Sequence, residues 1–141
     1  MVYCRKVTGV AIEAVAGCPK LTHLDLGFMD ITDRCIASIV THLDLRILKL
    51  TFCSKITDAG AAAVARGCPR LEYIDMTKCG LTDVGASSLA ALPLVRLTLS
   101  QCMLLTDTGI CAVARGCPTL RELSVSQCDL LTDASICAVA D

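Results

Sequence analysis

The sequence predicts an α/β solenoid, one stack of short strands and returning helices, and three observations carry that prediction. A Leu-x-x-Leu-x-Leu pattern begins at Leu21, Leu45, Leu71, Leu94 and Leu120, at steps of 24, 26, 23 and 26 residues. Eight residues after four of those leucines stands Cys53, Cys79, Cys102 or Cys128, with Met29 in that place in the first copy. A Thr-Asp pair then follows, at Thr32-Asp33, Thr57-Asp58, Thr82-Asp83, Thr106-Asp107 and Thr132-Asp133. A unit of this period is one supersecondary element that cannot bury its apolar face alone, so repetition in register means stacking.

Each unit opens on a segment that alternates with period two. In Leu71-Glu72-Tyr73-Ile74-Asp75-Met76, Ile74 and Met76 point inward and Tyr73 and Asp75 outward, as in a short strand. The cysteine column marks the turn after it. The Thr-Asp pair is suited to accept from the orphan amides of a helix start. Counted from each Thr, apolar residues recur at +4, +7 and +8 as one helical stripe: Ile36, Ile39 and Val40; Ala61, Val64 and Ala65; Ala86, Leu89 and Ala90; Ile110, Val113 and Ala114; Ile136, Val139 and Ala140. Gly17, Gly67 and Gly116, each followed by Cys-Pro, stop a helix and return the chain toward the next strand. The second copy reads Thr41-His42-Leu43-Asp44 instead and the fourth Ala91-Leu92-Pro93, which predicts tighter helix ends there.

The 141 residues suffice for one domain, read as residues 1–141 with about five repeats and a partial repeat at each end. Apolar residues make up 54% of the chain, yet it has no Trp, two Phe and two Tyr, so the core is aliphatic. Thirteen basic residues nearly cancel fourteen acidic ones, which argues against nucleic acid or an anionic membrane as partner. No apolar stretch approaches the ~18 residues of a membrane span, and Met1 to Lys6 do not open a secretory signal.

The unit from Leu105-Thr106-Asp107-Thr108-Gly109-Ile110 through Gly116-Cys117-Pro118, Leu120 and Leu123 to Cys128 resembles the cysteine-containing subfamily of leucine-rich repeats. The resemblance covers essentially the whole chain. It implies a right-handed horseshoe with a concave parallel sheet and helices on the convex side. The subfamily is best known from F-box proteins, the substrate-recognition subunits of Skp–cullin ubiquitin ligases, and also occurs in ciliary and cytoskeletal assembly proteins. No F-box is visible, since the repeat pattern already occupies residues 1 to 20 with Val7-Thr8-Gly9, Ile12, Val15 and Ala16. Cys4 aligns with the cysteine column and the chain stops as a last helix would end, so neither edge is capped; the expectation is a segment of a longer protein, or ends covered by partners.

The cysteines fall into columns, Cys4, Cys53, Cys79, Cys102 and Cys128 after strands and Cys18, Cys68 and Cys117 after helices, read as small buried hydrophobes too far apart to bridge. Cys35, Cys111 and Cys137 lie off the columns, and free thiols there imply a reducing compartment, the cytoplasm, with cilium or nucleus as further possibilities. His23 and His42 have no metal-ligand spacing, and no catalytic constellation or cofactor motif is present. The chain therefore reads as non-catalytic, without metal or cofactor.

What remains is the row of outward strand residues. One column is His23, Ile47, Tyr73, Arg96 and Glu122; a second is Asp25, Lys49, Asp75, Thr98 and Ser124. The alternating signs of Asp25, Lys49 and Asp75 also read as plain cross-strand pairing. Ile47 and Tyr73 stand side by side where solvent is expected, and Phe28 and Phe52 share the position before the turn column, either as an interface anchor or folded under the loop as core. The later part of the surface, Thr98, Ser100, Gln101, Ser124, Ser126 and Gln127, is polar and uncharged. The reading is a protein-interaction module that binds a protein on its concave surface, most concretely the substrate-recognition region of an F-box-type ubiquitin ligase subunit. A scaffold component of a ciliary or cytoskeletal assembly, with neighbours packed on both ends, is the alternative, and a regulator that holds an enzyme in trans is a third.

Overall fold

A computed structural model describes residue 15 and residues 17–135. Cys4, Val7, Thr8, Gly9, Ile12 and Ala16 at one end, and Ile136, Cys137, Val139 and Ala140 at the other, lie outside the described residues. Strands and helices alternate: β1 (His23–Asp25), α1 (Asp33–Val40), β2 (Ile47–Lys49), α2 (Asp58–Gly67), β3 (Tyr73–Asp75), α3 (Asp83–Leu89), β4 (Arg96–Thr98), α4 (Asp107–Gly116) and β5 (Glu122–Ser124). The strands form one parallel sheet in sequence order, so each repeat pairs only with its neighbours. The register matches the repeat: Leu24, Leu48, Ile74, Leu97 and Leu123 lie side by side.

The core is the stack of those inward residues against the helical stripes. Leu48, Ile74, Leu97, Ile36, Ile39, Val64, Leu89, Ile110 and Val113 are fully buried. Toward the two ends of the described stack Leu24, Met29, Leu123, Val125 and Leu131 are only partly buried. The cysteines after the strands do more than fill space. Cys53, Cys79, Cys102 and Cys128 each turn the thiol to a carbonyl of the preceding repeat, those of Leu26, Leu50, Met76 and Leu99, at 3.2 to 3.3 Å. A small hydrophobe with a weak donor thus joins successive turns at a column where a methyl would only pack. Cys68 and Cys117 are buried as well, whereas Cys18, expected buried in the same column, is exposed. It precedes β1 at the edge of the described stack.

Two expectations about the helices change. The Thr-Asp pair does not cap as a unit. Thr57, Thr82 and Thr106 accept from the amide two residues on in their own helix, but each Asp reaches into the following repeat. Asp33 accepts from the Thr57 amide at 2.8 Å and its hydroxyl at 2.7 Å. Asp58 does the same for Thr82, Asp83 for Thr106 and Asp107 for Thr132, with hydroxyl distances of 2.6 Å. Each threonine therefore donates to the carboxylate behind it while accepting from its own helix. Thr32 makes no such cap, and Gly9 stands in the sequence where the preceding Asp would be.

The helix-ending glycines are the second change. Gly67 and Gly116 are the last residues of α2 and α4, and no described glycine has a positive φ. Their reason is close approach. A Cβ on Gly116 would meet the Ala90 methyl at 2.6 Å and the Ala90 carbonyl at 2.9 Å, and one on Gly67 would meet Val40. The longer helices thus end against the ends of the shorter ones, α1 with 8 residues and α3 with 7. Those are the two copies whose sequence lacks Gly-Cys-Pro.

Candidate functional site

The parallel pairing sets the outward residues in columns, because strands that pair in register with period-two side chains place equivalent residues at one strand spacing. His23, Ile47, Tyr73, Arg96 and Glu122 form the first column and Asp25, Lys49, Asp75, Thr98 and Ser124 the second. Around Ile47 and Tyr73 the sheet carries a shallow depression of about 360 Å³, walled by His23, Asp25, Lys49 and Arg96. The two apolar side chains are half-buried at its base. Arg96 lies over the Tyr73 ring, 5.3 Å from its centroid, and pairs with Glu122 at 2.7 Å. That pairing, through hydrogen bond and charge, raises the Arg96 pKa still further.

The second column pairs less than its alternating signs suggest. Lys49 and Asp25 stand 4.0 Å apart, at the limit of an ion pair. Asp75 instead accepts from the Thr77 amide at 2.9 Å and its hydroxyl at 2.7 Å, fixing the turn after β3. Asp25 likewise accepts from the Gly27 amide at 3.0 Å. These carboxylates hold turns first.

Phe28 and Phe52 are exposed, 40% and 37%, and do not fold under the loop. Their rings stack at 4.8 Å with an interplanar angle of 14°. They are absent from the walls of the Ile47–Tyr73 depression, so the apolar residues picked out from the sequence make two patches on one strand face. The Phe pair is part of a longer row that the sequence did not reveal. Phe28, Phe52, Lys78, Gln101 and Gln127 occupy the same position in five repeats, and each has a left-handed φ of 57 to 64°. A side chain larger than Asn held there costs about 1 kcal/mol or more. Neighbours touch within the row: the Lys78 ammonium sits 5.0 Å from the Phe52 centroid, and the Gln101 amide donates to Gln127 at 2.7 Å. Shared spacing before the cysteine column was the signal that could have found Lys78.

The polar part of the face is bonded across the strands, as with Ser100 and Ser124 at 3.0 Å. Among the described residues no group of three His, Cys, Asp or Glu could hold a metal ion, and no helix is long and apolar enough to cross a membrane. The buried thiols are held protonated by desolvation, with Cys68 pushed up to about 11 and Cys102 to about 12.

A stack of strand–helix units with an outward face that differs in every repeat defines a solenoid interaction module. The family model for the leucine-rich repeat matches residues 17–39, 40–65, 67–90 and 116–140, more than half of the chain, and the chain belongs to that family. Residues 91–115 fall between the matched segments, yet they carry β4 and α4 in the same register, so the Ala91-Leu92-Pro93 departure alters the pattern and leaves the repeat in place. Among curated proteins the chain is 31% identical over 84 residues to GRR1-like protein 1 of Arabidopsis thaliana and 31% over 81 residues to a Transport inhibitor response 1-like protein of Oryza sativa subsp. japonica. Those matches take in 58% and 57% of this chain and 14% of each relative, so the chain spans about one seventh of the length of the relatives it matches. Two solved structures share the fold. The tropomodulin C-terminal domain of Caenorhabditis elegans matches with a TM-score of 0.68 over 92% of this chain and 89% of that one, at 13% identity. A chain of the yeast Rad7 and Elc1 complex matches with 0.51 over 78% and 37%, at 18% identity. Leucine-rich-repeat domains are generally protein-interaction modules, and that is the class of this chain.

Proposed function

We propose that this chain is the substrate-recognition region of an F-box-type ubiquitin ligase subunit, binding a protein on its concave face through Phe28, Ile47, Phe52 and Tyr73, with His23, Asp25, Lys49, Asp75, Arg96 and Glu122 around them. The observation that carries the reading is the Ile47–Tyr73 pair, apolar surface at the base of a depression walled by charged and polar groups, the arrangement of a desolvated anchor inside a polar rim. The resemblance of the repeat to the cysteine-containing subfamily supports the ligase role, as does the 31% identity to GRR1-like protein 1 over 84 residues. The chain needs no cofactor for this and acts by binding alone. The partly exposed thiols of Cys35 and Cys111 suit a reducing compartment such as the cytoplasm or nucleus.

The test is affinity capture of the tagged chain from cell extract, with Tyr73→Ala as control, followed by half-life measurement of what is captured. Tyr73→Ala is expected to weaken partner binding by more than ~1 kcal/mol with the fold intact. Captured proteins whose half-life lengthens when the chain is overexpressed, and not with Tyr73→Ala, support substrate recognition, since recognition without adaptor recruitment protects a substrate. A fixed set of cytoskeletal or axonemal proteins retained by the variant would replace this reading by the scaffold.

A further inference from the structure

The row before the cysteine column is set by a turn that links the repeats: the amides of Phe28, Phe52, Lys78 and Gln101 donate to carbonyls of the following repeat, those of Thr51, Thr77, Ser100 and Ser126. Five successive repeats place Phe28, Phe52, Lys78, Gln101 and Gln127 in the left-handed region, where glycine or asparagine would be accommodated with less strain. The turn holds that backbone in every repeat, so the side chains it carries are what vary along the row. Their chemistry changes along the row in one direction: an exposed aromatic pair, then an ammonium, then a pair of amides.

We propose that this row seats an extended peptide segment of a protein partner, laid across the strands, which carries a large apolar residue and, two positions away, a carboxylate. The proposal rests on the reading of the strand face as a protein-binding surface and specifies the partner's chemistry. Charge complementarity fixes the second element. Lys78 is the one cation of the row, is exposed, and makes no ion pair with a described carboxylate, whereas Arg46, Lys55, Arg70 and Arg96 each have an acidic partner. Spacing fixes the interval. From the middle of the Phe28–Phe52 stack to Lys78 is about one and a half strand spacings, ~7 Å, and an extended chain presents successive side chains of one face every ~6.8 Å.

The surroundings agree. Lys78, Gln101, Gln127, Met103 and Asp129 line a depression of about 480 Å³ beside the row. Asp129 is two repeats from Lys78, roughly 10 Å, and repels a carboxylate from the far end, so the acidic residue belongs on Lys78. The hydrogen bond between the two glutamines uses one donor and one acceptor; the Gln101 carbonyl and the Gln127 amino group are left for the segment's backbone. Met103, more than half exposed, adds apolar surface on that flank.

The experiment is selection of a random dodecapeptide phage library on the folded 141-residue chain, in parallel on Lys78→Glu, Lys78→Gln and Tyr73→Ala, each first shown by circular dichroism to keep the parent's spectrum. The expected result is peptides enriched for an aromatic or large aliphatic residue with Asp or Glu two positions away. On Lys78→Gln that acidic preference falls at least tenfold, and on Lys78→Glu it gives way to Lys or Arg; on Tyr73→Ala it persists. Selected peptides with no acidic preference, an acidic preference indifferent to both Lys78 variants, or no selected peptide at all would overturn the proposal. Peptides lost with Tyr73→Ala but not with the Lys78 variants would keep the Ile47–Tyr73 anchor and sink only the row.

Discussion

The helix starts and the strand face of this solenoid are built on opposite rules. At the helix starts the same residues recur: Thr57, Thr82, Thr106 and Thr132 each hand a hydroxyl to the Asp of the repeat before. On the strand face the first outward column does not recur. The first column runs through His23, Ile47, Tyr73, Arg96 and Glu122 on one unvarying register. Repetition marks where one repeat holds the next, and variation marks where the stack faces something other than itself. The comparison makes a claim about energies: substitutions at recurring positions destabilise the fold, and those at varying positions leave the fold and alter binding.

The largest effect belongs to the inward strand column, which both rules depend on. Leu97→Asp places an unpaired carboxylate between Ile74 and Leu123 in a fully buried site, and such a charge costs more than a domain's entire stability. The expected outcome is no cooperative thermal transition by circular dichroism. A folded Leu97→Asp chain would break the register itself.

The helix starts come next. A Cβ on Gly109 would stand 2.5 Å from Asp83 Oδ1 and 3.0 Å from Asp83 Cα, so the carboxylate occupies the space the glycine leaves. Gly109→Ala is expected to cost about 1–3 kcal/mol by chemical denaturation, as overpacking does. The fifth repeat sharpens this, since Ser135 holds that position, fully buried, and its hydroxyl donates to the Thr132 carbonyl at 2.7 Å. Gly109→Ser should therefore cost less than Gly109→Ala, and Asp83→Ala should relieve Gly109→Ala by a coupling of at least about 0.5 kcal/mol. Additive effects would mean that carboxylate and glycine do not share one space.

The sequence made the repeat, its register and the two columns legible, because parallel strands in a stack of near-constant period have only one way to align. The buried cysteine columns were legible for the same reason. It did not make legible whom Asp33, Asp58, Asp83 and Asp107 serve, since a Thr-Asp pair at a helix start has the composition of a local cap, and only stacking brings the next threonine within 2.8 Å. Gly67 and Gly116 read as conformational stops for a similar reason: sequence shows a missing side chain and not whether φ or a neighbour demands it. Phe28, Phe52 and Lys78 carry no mark of a left-handed backbone, so their row emerged from the structure. The outward columns could be drawn from sequence, but not the separation of the Phe pair from the Ile47–Tyr73 depression, which depends on where Asp25 and Asp75 turn.

Acid gives the link between Asp107 and Thr132 a titratable signature. Hydrogen bonds from the Thr132 hydroxyl and amide, more than any other influence, hold the Asp107 carboxyl below its ordinary value of 3.8. A carboxylate depressed in the folded state contributes stability above its unfolded value and loses it as pH falls through the folded one. Denaturation of the parent should therefore begin to steepen below about pH 4, and Thr132→Val, which removes the hydroxyl donor, should flatten that dependence and raise the Asp107 pKa read by carboxyl NMR.

The smallest effect tests the other half of the comparison. Glu122 pairs with Arg96 at 2.7 Å, but both side chains are about half exposed, 58% and 46%. Water and salt screen such a pair, and holding two long side chains in one geometry consumes entropy, so Glu122→Gln is expected to cost at most about 1 kcal/mol and to lose even that in 1 M salt. Partner binding should respond more, since freeing Arg96 changes the charge beside Tyr73, over whose ring the guanidinium lies. A stability loss as large as that of Gly109→Ala, persisting in salt, would erase the distinction between recurring and varying positions and make the strand face part of what holds the stack together.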